Sequence, residues 1–122
     1  MFVNVKTLPV NAFRNDTMTA LNTRNIETLQ TICFNNFKIS TPLVFDNLMN
    51  VASFAYIANI PTLIIKSEAV ATAGSSSFFG PNFKINAIYV PDNLIASYKS
   101  ATGWSAKASI IYPLSDCPYD YD

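Results

Sequence analysis

Three serines in a row, Ser75, Ser76 and Ser77, are side chains of a type that can act as nucleophiles. A serine nucleophile needs an activating base beside it. The chain contains no histidine, which removes the commonest general base, the usual triad partner and the usual zinc ligand. It also has no paired catalytic carboxylates and no glycine-rich phosphate loop. We therefore predict that the protein is not an enzyme and that it has no catalytic residue and no cofactor.

Acidic and sulfur side chains offer metal or redox chemistry at a few further positions. Asp116, Asp120 and Asp122 could bind a hard cation, but they lie in an acidic segment, residues 115–122, that we expect to be a mobile tail and a poor cage. Cys33 occupies the small position of a repeated pair and is predicted to be a packed core thiol. Cys117 is predicted to be exposed, and no disulfide between the two is expected. We predict no metal site.

The composition excludes two classes of partner. Half of the 122 residues are hydrophobic and 13% are charged, with eight basic and eight acidic side chains. The basic residues are scattered singly, which gives no footprint for nucleic acid. No apolar run reaches about 18 residues, so no membrane span is expected. The length fits one domain.

A repeat of about 22 residues would position any binding site. A small residue followed by an aromatic one recurs with the aromatic at Phe13, Phe34, Tyr56 and Phe78, at spacings of 21, 22 and 22 residues. Such a period indicates a solenoid, in which each copy buries its apolar face against the next.

Each copy begins with a short alternating run, at residues 19–24, 41–46, 61–66 and 86–91. Alternation predicts strands, and stacked copies would place them side by side in one parallel sheet on one flank. The side chains predicted to point inward are Leu21, Leu43, Leu63 and Ile88, and then Thr23, Phe45, Ile65 and Val90. The remainder of each copy is predicted to be an irregular or short helical return. Two extra residues between Ile65 and Val70 predict a looser third copy.

The pattern changes after Val90. Asp92 is a good N-cap, and Leu94, Ile95 and Tyr98 form one apolar face, so we predict a helix of two to three turns. Gly103 would end this helix. The helix and Trp104 would then cover the open end of the sheet.

The repeat, apolar-x-x-Leu-x-apolar followed by apolar positions and a small-aromatic pair, resembles the BspA-like subclass of bacterial leucine-rich repeats. Residues 88–109, which begin Ile-Tyr-Val-Pro and contain Tyr98-Lys99 and Trp104, resemble the C-terminal cap of such arrays. The resemblance implies an α/β right-handed solenoid used in adhesion and protein recognition, with no catalytic residues. It also implies one domain at residues 1–114, with repeats at about 5–90 and a cap at 91–114, before the acidic tail.

Outward positions of the predicted sheet form two rows that could contact a partner. The first row contains Asn22, Val44, Ile64 and Tyr89, and the second contains Arg24, Asp46 and Lys66. The alternative is that both rows simply stabilise the sheet, by roughly 0.2–1 kcal/mol per pair. Phe79 is one aromatic more than the core pair needs, and it is either a further contact or a filler beside Gly74 and the serines.

The leading hypothesis is a non-enzymatic interaction or adhesion module that binds a protein or glycan partner. The alternative is a structural component of a larger assembly, such as a phage particle, or a module that forms a homo-oligomer. Residues 1–13 lack the features of a secretory signal. A cell-surface or secreted location is expected if a signal has been removed, and a cytoplasmic or virion-associated location otherwise.

Overall fold

A computed structural model describes residues 7–8, 17–18, 23–29, 37–52, 57–74 and 82–119 of the protein. The strands are β1 (Thr7–Leu8), β2 (Thr17–Met18), β3 (Thr28–Leu29), β4 (Phe37–Ile39), β5 (Leu43–Phe45), β6 (Asn50–Val51), β7 (Ile57–Asn59), β8 (Thr62–Ile65), β9 (Thr72–Ala73), β10 (Asn82–Lys84), β11 (Ala87–Val90) and β12 (Ile111–Pro113). One α-helix, α1 (Ile95–Ser100), and 3-10 turns at Asp92–Leu94, Ser105–Ile110 and Leu114–Asp116 complete the described elements.

The strands form three four-stranded parallel sheets. The first sheet has the order β1-β3-β6-β9, the second β10-β7-β4-β2 and the third β12-β11-β8-β5. From β3 to β11 the chain visits the first, second and third sheets in rotation, so that one circuit adds one strand to each. In its described part the protein is thus an α/β fold with parallel sheets, few helices and no closed barrel.

The strand register follows the repeat seen in the sequence. In the first sheet Thr28 pairs with Asn50, and Asn50 pairs with Thr72, so partners lie 22 positions apart. In the third sheet Leu63 pairs with Leu43 on one side and Ile88 on the other, at offsets of 20 and 25 residues. Equivalent residues of successive circuits therefore stack on one another and share one core.

Three of the four alternating runs, at residues 41–46, 61–66 and 86–91, contain strands of the third sheet, and their inward side chains are confirmed. Of the run at 19–24 only residues 23 and 24 are described, and they form no strand. The inward side chains at 43, 45, 63, 65, 88 and 90 are all between 0% and 1% exposed. They belong to one cluster that also contains buried residues of the first and second sheets. Thr23 is buried as well, and its hydroxyl donates a hydrogen bond of 2.6 Å to the Val44 carbonyl. Leu21, Cys33 and the column of Phe13, Phe34, Tyr56 and Phe78 lie outside the described residues.

The predicted returns are partly confirmed in the described residues, because they contain irregular segments, but they also contain short strands that the sequence did not indicate. Between residues 23 and 90 the described part of the chain contains no helix, and its returns carry the short strands of the first and second sheets. In this range the stretches that link successive strands are under a dozen residues long, too short for a stable helix of their own. The backbone groups of the short strands are satisfied by pairing with the equivalent strand of the next circuit.

The segment after Val90 closes one end of the core. Trp104 and Tyr98 are both 0% exposed, and their rings meet edge to face with centroids 5.0 Å apart. The Trp104 indole N–H donates to the Ala71 carbonyl at 2.7 Å, and the Ala71 N–H donates to the Tyr98 hydroxyl at 3.0 Å. Two side chains of the cap therefore satisfy both backbone polar groups of one buried residue in the preceding circuit.

Gly103 allows the cap to approach this closely. Its φ of +83° is a conformation that other residues rarely adopt, and a Cβ there would lie 2.5 Å from the Gly74 carbonyl oxygen and 2.7 Å from the Ala73 Cβ. The α-helix ends earlier, at Ser100.

Two predictions about the ends of this segment are wrong. Asp92 does not cap the turn that it begins, since no side-chain cap bond forms there. Its carboxylate instead accepts a hydrogen bond of 3.1 Å from the Ser115 backbone N–H, and hydrogen bonds from the Ser115 side chain and backbone hold the pKa of Asp92 below its usual value. The start of the predicted mobile tail is therefore an ordered 3-10 turn, Leu114–Asp116, anchored to the start of the cap.

The Tyr98 hydroxyl makes the stability of the protein depend on pH in the alkaline range. Burial, opposed by the hydrogen bond from Ala71, raises the pKa of Tyr98 above its ordinary value of 10.0. The contribution of neutral Tyr98 to stability is therefore complete below pH 10.0 and is lost as the pH rises above it, because the unfolded tyrosine ionises first. We expect Tyr98→Phe to lower the free energy of unfolding by about 1–3 kcal/mol at neutral pH, since it leaves the Ala71 N–H unpaired. Between about pH 9 and 11 the variant should lose less stability than the wild type does. Urea unfolding across this range checks both effects.

Tyr89 and the lysines are common to both proteins, so their titration cancels in this comparison. Parallel stability curves for the wild type and Tyr98→Phe would contradict the role assigned to the Tyr98 hydroxyl.

Candidate functional site

The first predicted row lies across the third sheet. Val44, Ile64 and Tyr89 occupy register-matched positions on β5, β8 and β11. Val44 and Tyr89 are half-buried, but Ile64 is 0% exposed. The prediction of Ile64 as an accessible contact is therefore wrong: it lies on a central strand, and its side chain is fully buried. Asn22 and Phe79 lie outside the described residues.

The row continues onto a strand that sequence reasoning missed. Tyr89 pairs in register with Tyr112 of β12, and their rings are tilted by 37° with centroids 5.7 Å apart. Tyr112 is 40% exposed, and Tyr119, in the following segment, is 45% exposed. We call Tyr89, Tyr112 and Tyr119 the tyrosine group. The signal that could have found Tyr112 is the sequence Ile-Tyr-Pro at 111–113, which echoes Ile-Tyr-Val-Pro at 88–91.

Within the tyrosine group, the environment of Tyr89 favours its neutral hydroxyl. Burial raises the pKa of Tyr89, and the negative charges that Cys117, Tyr119, Tyr112 and Asp116 acquire on ionisation raise it further. Cys117 is half-buried rather than exposed, and its thiol lies 3.7 Å from the Tyr119 carbonyl oxygen, to which it donates. A phenol that stays protonated can donate and accept hydrogen bonds while its ring makes apolar contact.

The three charged residues of the second predicted row lie close together. The Arg24 Nη1 lies 3.3 Å from Asp46 Oδ1, and the Lys66 Nζ lies 3.9 Å from the same oxygen. The three side chains come from successive circuits and are each about one third exposed. Asp46 thus sits between two cations, an arrangement that stabilises the stacking of circuits and supports the purely structural alternative for this row.

We expect Asp46→Asn to have a small and salt-dependent effect. The substitution removes the charge shared by Arg24 and Lys66, and partly exposed ion pairs contribute about 0.2–1 kcal/mol each. The free energy of unfolding measured by urea at low salt should fall by about 1 kcal/mol, and the difference from the wild type should shrink in about 1 M salt as the charges are screened. A loss of equal size at both salt concentrations would show that Asp46 acts through packing instead.

A groove lies beside this charged row. It has a volume of about 630 Å³ and runs between residues 46–50 of one circuit and residues 66–70 and Thr72 of the next. Six residues separate Ile65 from Thr72, against four between Phe45 and Asn50 in the preceding circuit. The two extra residues anticipated from the sequence therefore belong to one wall of the groove.

The groove combines apolar and polar side chains. Met49 is 57% exposed at its rim, and Leu48 is buried in its wall. Ser67 is 7% exposed, and its hydroxyl oxygen is enclosed and has no hydrogen-bond partner among the described residues. A buried hydroxyl without a partner is unfavourable, so this oxygen stands out from the other described polar side chains.

The described part of the chain contains neither a cluster of metal-ligating side chains nor a membrane-spanning helix. Its His, Cys, Asp and Glu side chains form no group of three that could hold a metal ion. None of its helices is long and apolar enough to cross a membrane.

Comparison with known proteins gives no further identification. No family model matches the chain, and no match was found among curated proteins or solved structures. The resemblance to BspA-like leucine-rich repeats therefore depends on the repeat and cap residues alone.

Proposed function

We propose that this protein is a non-enzymatic interaction module that binds a protein partner through the outer face of its third sheet. The proposed scaffold is a short right-handed solenoid in the manner of BspA-like leucine-rich repeats, closed at its C-terminal end by residues 91–114. The passage of the chain through three parallel sheets in rotation, with partners 20 to 25 residues apart, supports a solenoid.

The observation that carries the proposal is the row that ends in the exposed Tyr112. Val44, Tyr89 and Tyr112 follow one another across β5, β11 and β12, with the buried Ile64 between the first two. Tyrosine is enriched at the energetic centres of protein interfaces because its ring buries much area while its hydroxyl bonds at the edge. A rigid sheet presents these side chains with little loss of conformational entropy on binding.

Affinity capture with matched variants tests the tyrosine group. The tagged full chain and a Tyr112→Ser/Tyr119→Ser double variant are used to capture proteins from extracts of the source cells. An Asn93→Ser variant, exposed on the 3-10 turn at Asp92–Leu94, serves as the control. We expect the wild type and Asn93→Ser to retain a protein that the double variant does not retain. The unfolding midpoint of the double variant should equal that of the wild type. Equal retention by all three proteins would contradict the proposal.

A second candidate is a structural role through self-association, and the asymmetry of the two ends favours it. The cap covers the C-terminal end. At the other end, β1 and β2 are the edge strands of the first and second sheets among the described strands. An edge strand can pair with a strand of another chain. Light scattering over a range of concentrations distinguishes the two: a stable oligomer supports self-association, and a monomer at every concentration excludes it.

A further inference from the structure

We infer that the groove between residues 46–50 and residues 66–72 is a binding site for a neutral saccharide of one or two rings. The site is separate from the tyrosine group and does not depend on the protein interface proposed above. Its volume of about 630 Å³ falls within the range of small-molecule sites, roughly 300–1,000 Å³.

The charges around the groove favour a neutral ligand. Asp46 is already held by Arg24 and Lys66, with Asp46 and Lys66 both in the groove wall. Glu68 adds an exposed carboxylate to the lining. An anion would meet two carboxylates, and a cation would meet the Lys66 ammonium and its neighbour Arg24. A neutral ligand avoids both costs.

The polar side chains favour hydroxyl groups on that ligand. The lining presents the amides of Asn47 and Asn50, the hydroxyl of Thr72 and two carboxylates, a mixture of donors and acceptors. A sugar hydroxyl both donates and accepts, so it can pair with each of these groups. The C–H face of a sugar ring would pack on the exposed Met49 and the half-buried Val70.

The backbone of the groove argues against a peptide strand as the ligand. Peptides that join a sheet need free backbone donors and acceptors at its edge. In this groove the Met49 and Asn50 N–H groups donate to the Glu27 carbonyl at 2.8 and 3.0 Å. On the facing wall the Thr72 N–H donates to the Met49 carbonyl at 2.8 Å. These groups already join one circuit to the next.

Ser67 supplies the independent sign of a missing partner. It lies in the lining, is more than nine-tenths buried, and its hydroxyl oxygen has no partner among the described residues. A ligand hydroxyl that reached this oxygen would satisfy a polar group that folding leaves unpaired.

NMR titration of the full ¹⁵N-labelled chain tests the site. The probes are maltose, lactose and chitobiose, with sialyllactose, glucosamine and an N-acetylated, C-amidated tetra-alanine peptide as charged and peptide controls. We expect at least one neutral disaccharide to give saturable shifts at residues 46–50 and 66–72, and the three controls to give none there. Ser67→Ala should weaken binding about fivefold to tenfold without lowering the unfolding midpoint. Ser97→Ala, on the exposed face of α1, should bind as the wild type does.

A second pair of variants repeats the test at exposed residues outside the core. Asn50→Ala, in the groove, should weaken binding, whereas Asn93→Ala, outside the groove, should not. The site is overturned if no disaccharide gives saturable shifts, if the shifts fall at Tyr112 and Tyr119 instead, or if the peptide binds in the groove. Equal affinities of Ser67→Ala and Ser97→Ala would overturn the role of Ser67.

Discussion

Replacing Trp104 with alanine is expected to lower the free energy of unfolding by about 3–5 kcal/mol, as large-to-small changes at fully buried positions do. The indole is 0% exposed, packs against Tyr98 and donates to the Ala71 carbonyl. Its removal leaves a cavity and an unpaired buried carbonyl in the circuit beneath the cap. Urea unfolding measures the loss, and amide hydrogen exchange should quicken at residues 85–90, in the last circuit before the cap.

One further variant separates the hydrogen bond of Trp104 from its packing, and a second serves as a control at an exposed position. Trp104→Phe keeps most of the ring but loses the N–H donor, and should cost about 1–3 kcal/mol for the unpaired Ala71 carbonyl. Met49→Ala, at a position 57% exposed, should change stability by less than about 0.5 kcal/mol. Unchanged exchange at residues 85–90 in Trp104→Ala would rule out the capping role.

Phe45→Ala is the second substitution with a large expected effect, about 3–5 kcal/mol. Phe45 is 0% exposed on β5 and pairs in register with Ile65 of the next circuit, so its loss opens a cavity between two circuits. Phe34, which the sequence places in the repeated core column, lies outside the described residues, so Phe45 is the position at which this core can be tested. The unfolding midpoint in urea measures the effect.

Tyr119→Ala is the matched control for Phe45→Ala, because it also truncates an aromatic ring but at a position 45% exposed. It should be close to neutral. If Phe45→Ala were as mild as Tyr119→Ala, the third sheet would not face a packed core.

The sequence predicted three strands of the third sheet because each lies in an alternating run that recurs in successive copies of the repeat. On β5 and β11 buried residues alternate with half-buried ones, which is the period of a strand, and the buried Leu63 and Ile65 of β8 stand in register with them. Trp104 and Tyr98 could be assigned to a cap because large aromatic residues follow the last repeat. Recurrence of the same pattern in successive copies supports a strand assignment that one short segment alone would not support.

The first and second sheets could not be predicted in the same way. Their described strands are two or three residues long, such as Thr28–Leu29 and Phe37–Ile39, too short for alternation to be distinguished from helical spacing. They are strands because each pairs with the equivalent segment of the next circuit. That pairing is a tertiary property, and it overrides the weak local preference of the segment.

Exposure at the candidate site also depended on tertiary contacts. Alternation predicted Ile64 as an outward residue, but alternation alone could not show that its side chain is fully buried. Tyr112 was missed because the twelfth strand follows the cap and joins the sheet after a long excursion of the chain. The groove beside Asp46 was indicated only as two additional residues in one copy of the repeat.

The central claim is that successive circuits stack in parallel register, and NMR measurement of cross-strand contacts tests it most directly. In a ¹⁵N- and ¹³C-labelled sample, nuclear Overhauser effects should connect the backbones of the in-register partners Leu43 and Leu63, Leu63 and Ile88, and Ile88 and Ile111. The same experiment should connect Thr28 with Asn50 and Asn50 with Thr72. Contacts typical of antiparallel hairpins, or partners shifted away from these pairs, would contradict the stacked arrangement and the binding surfaces assigned to it.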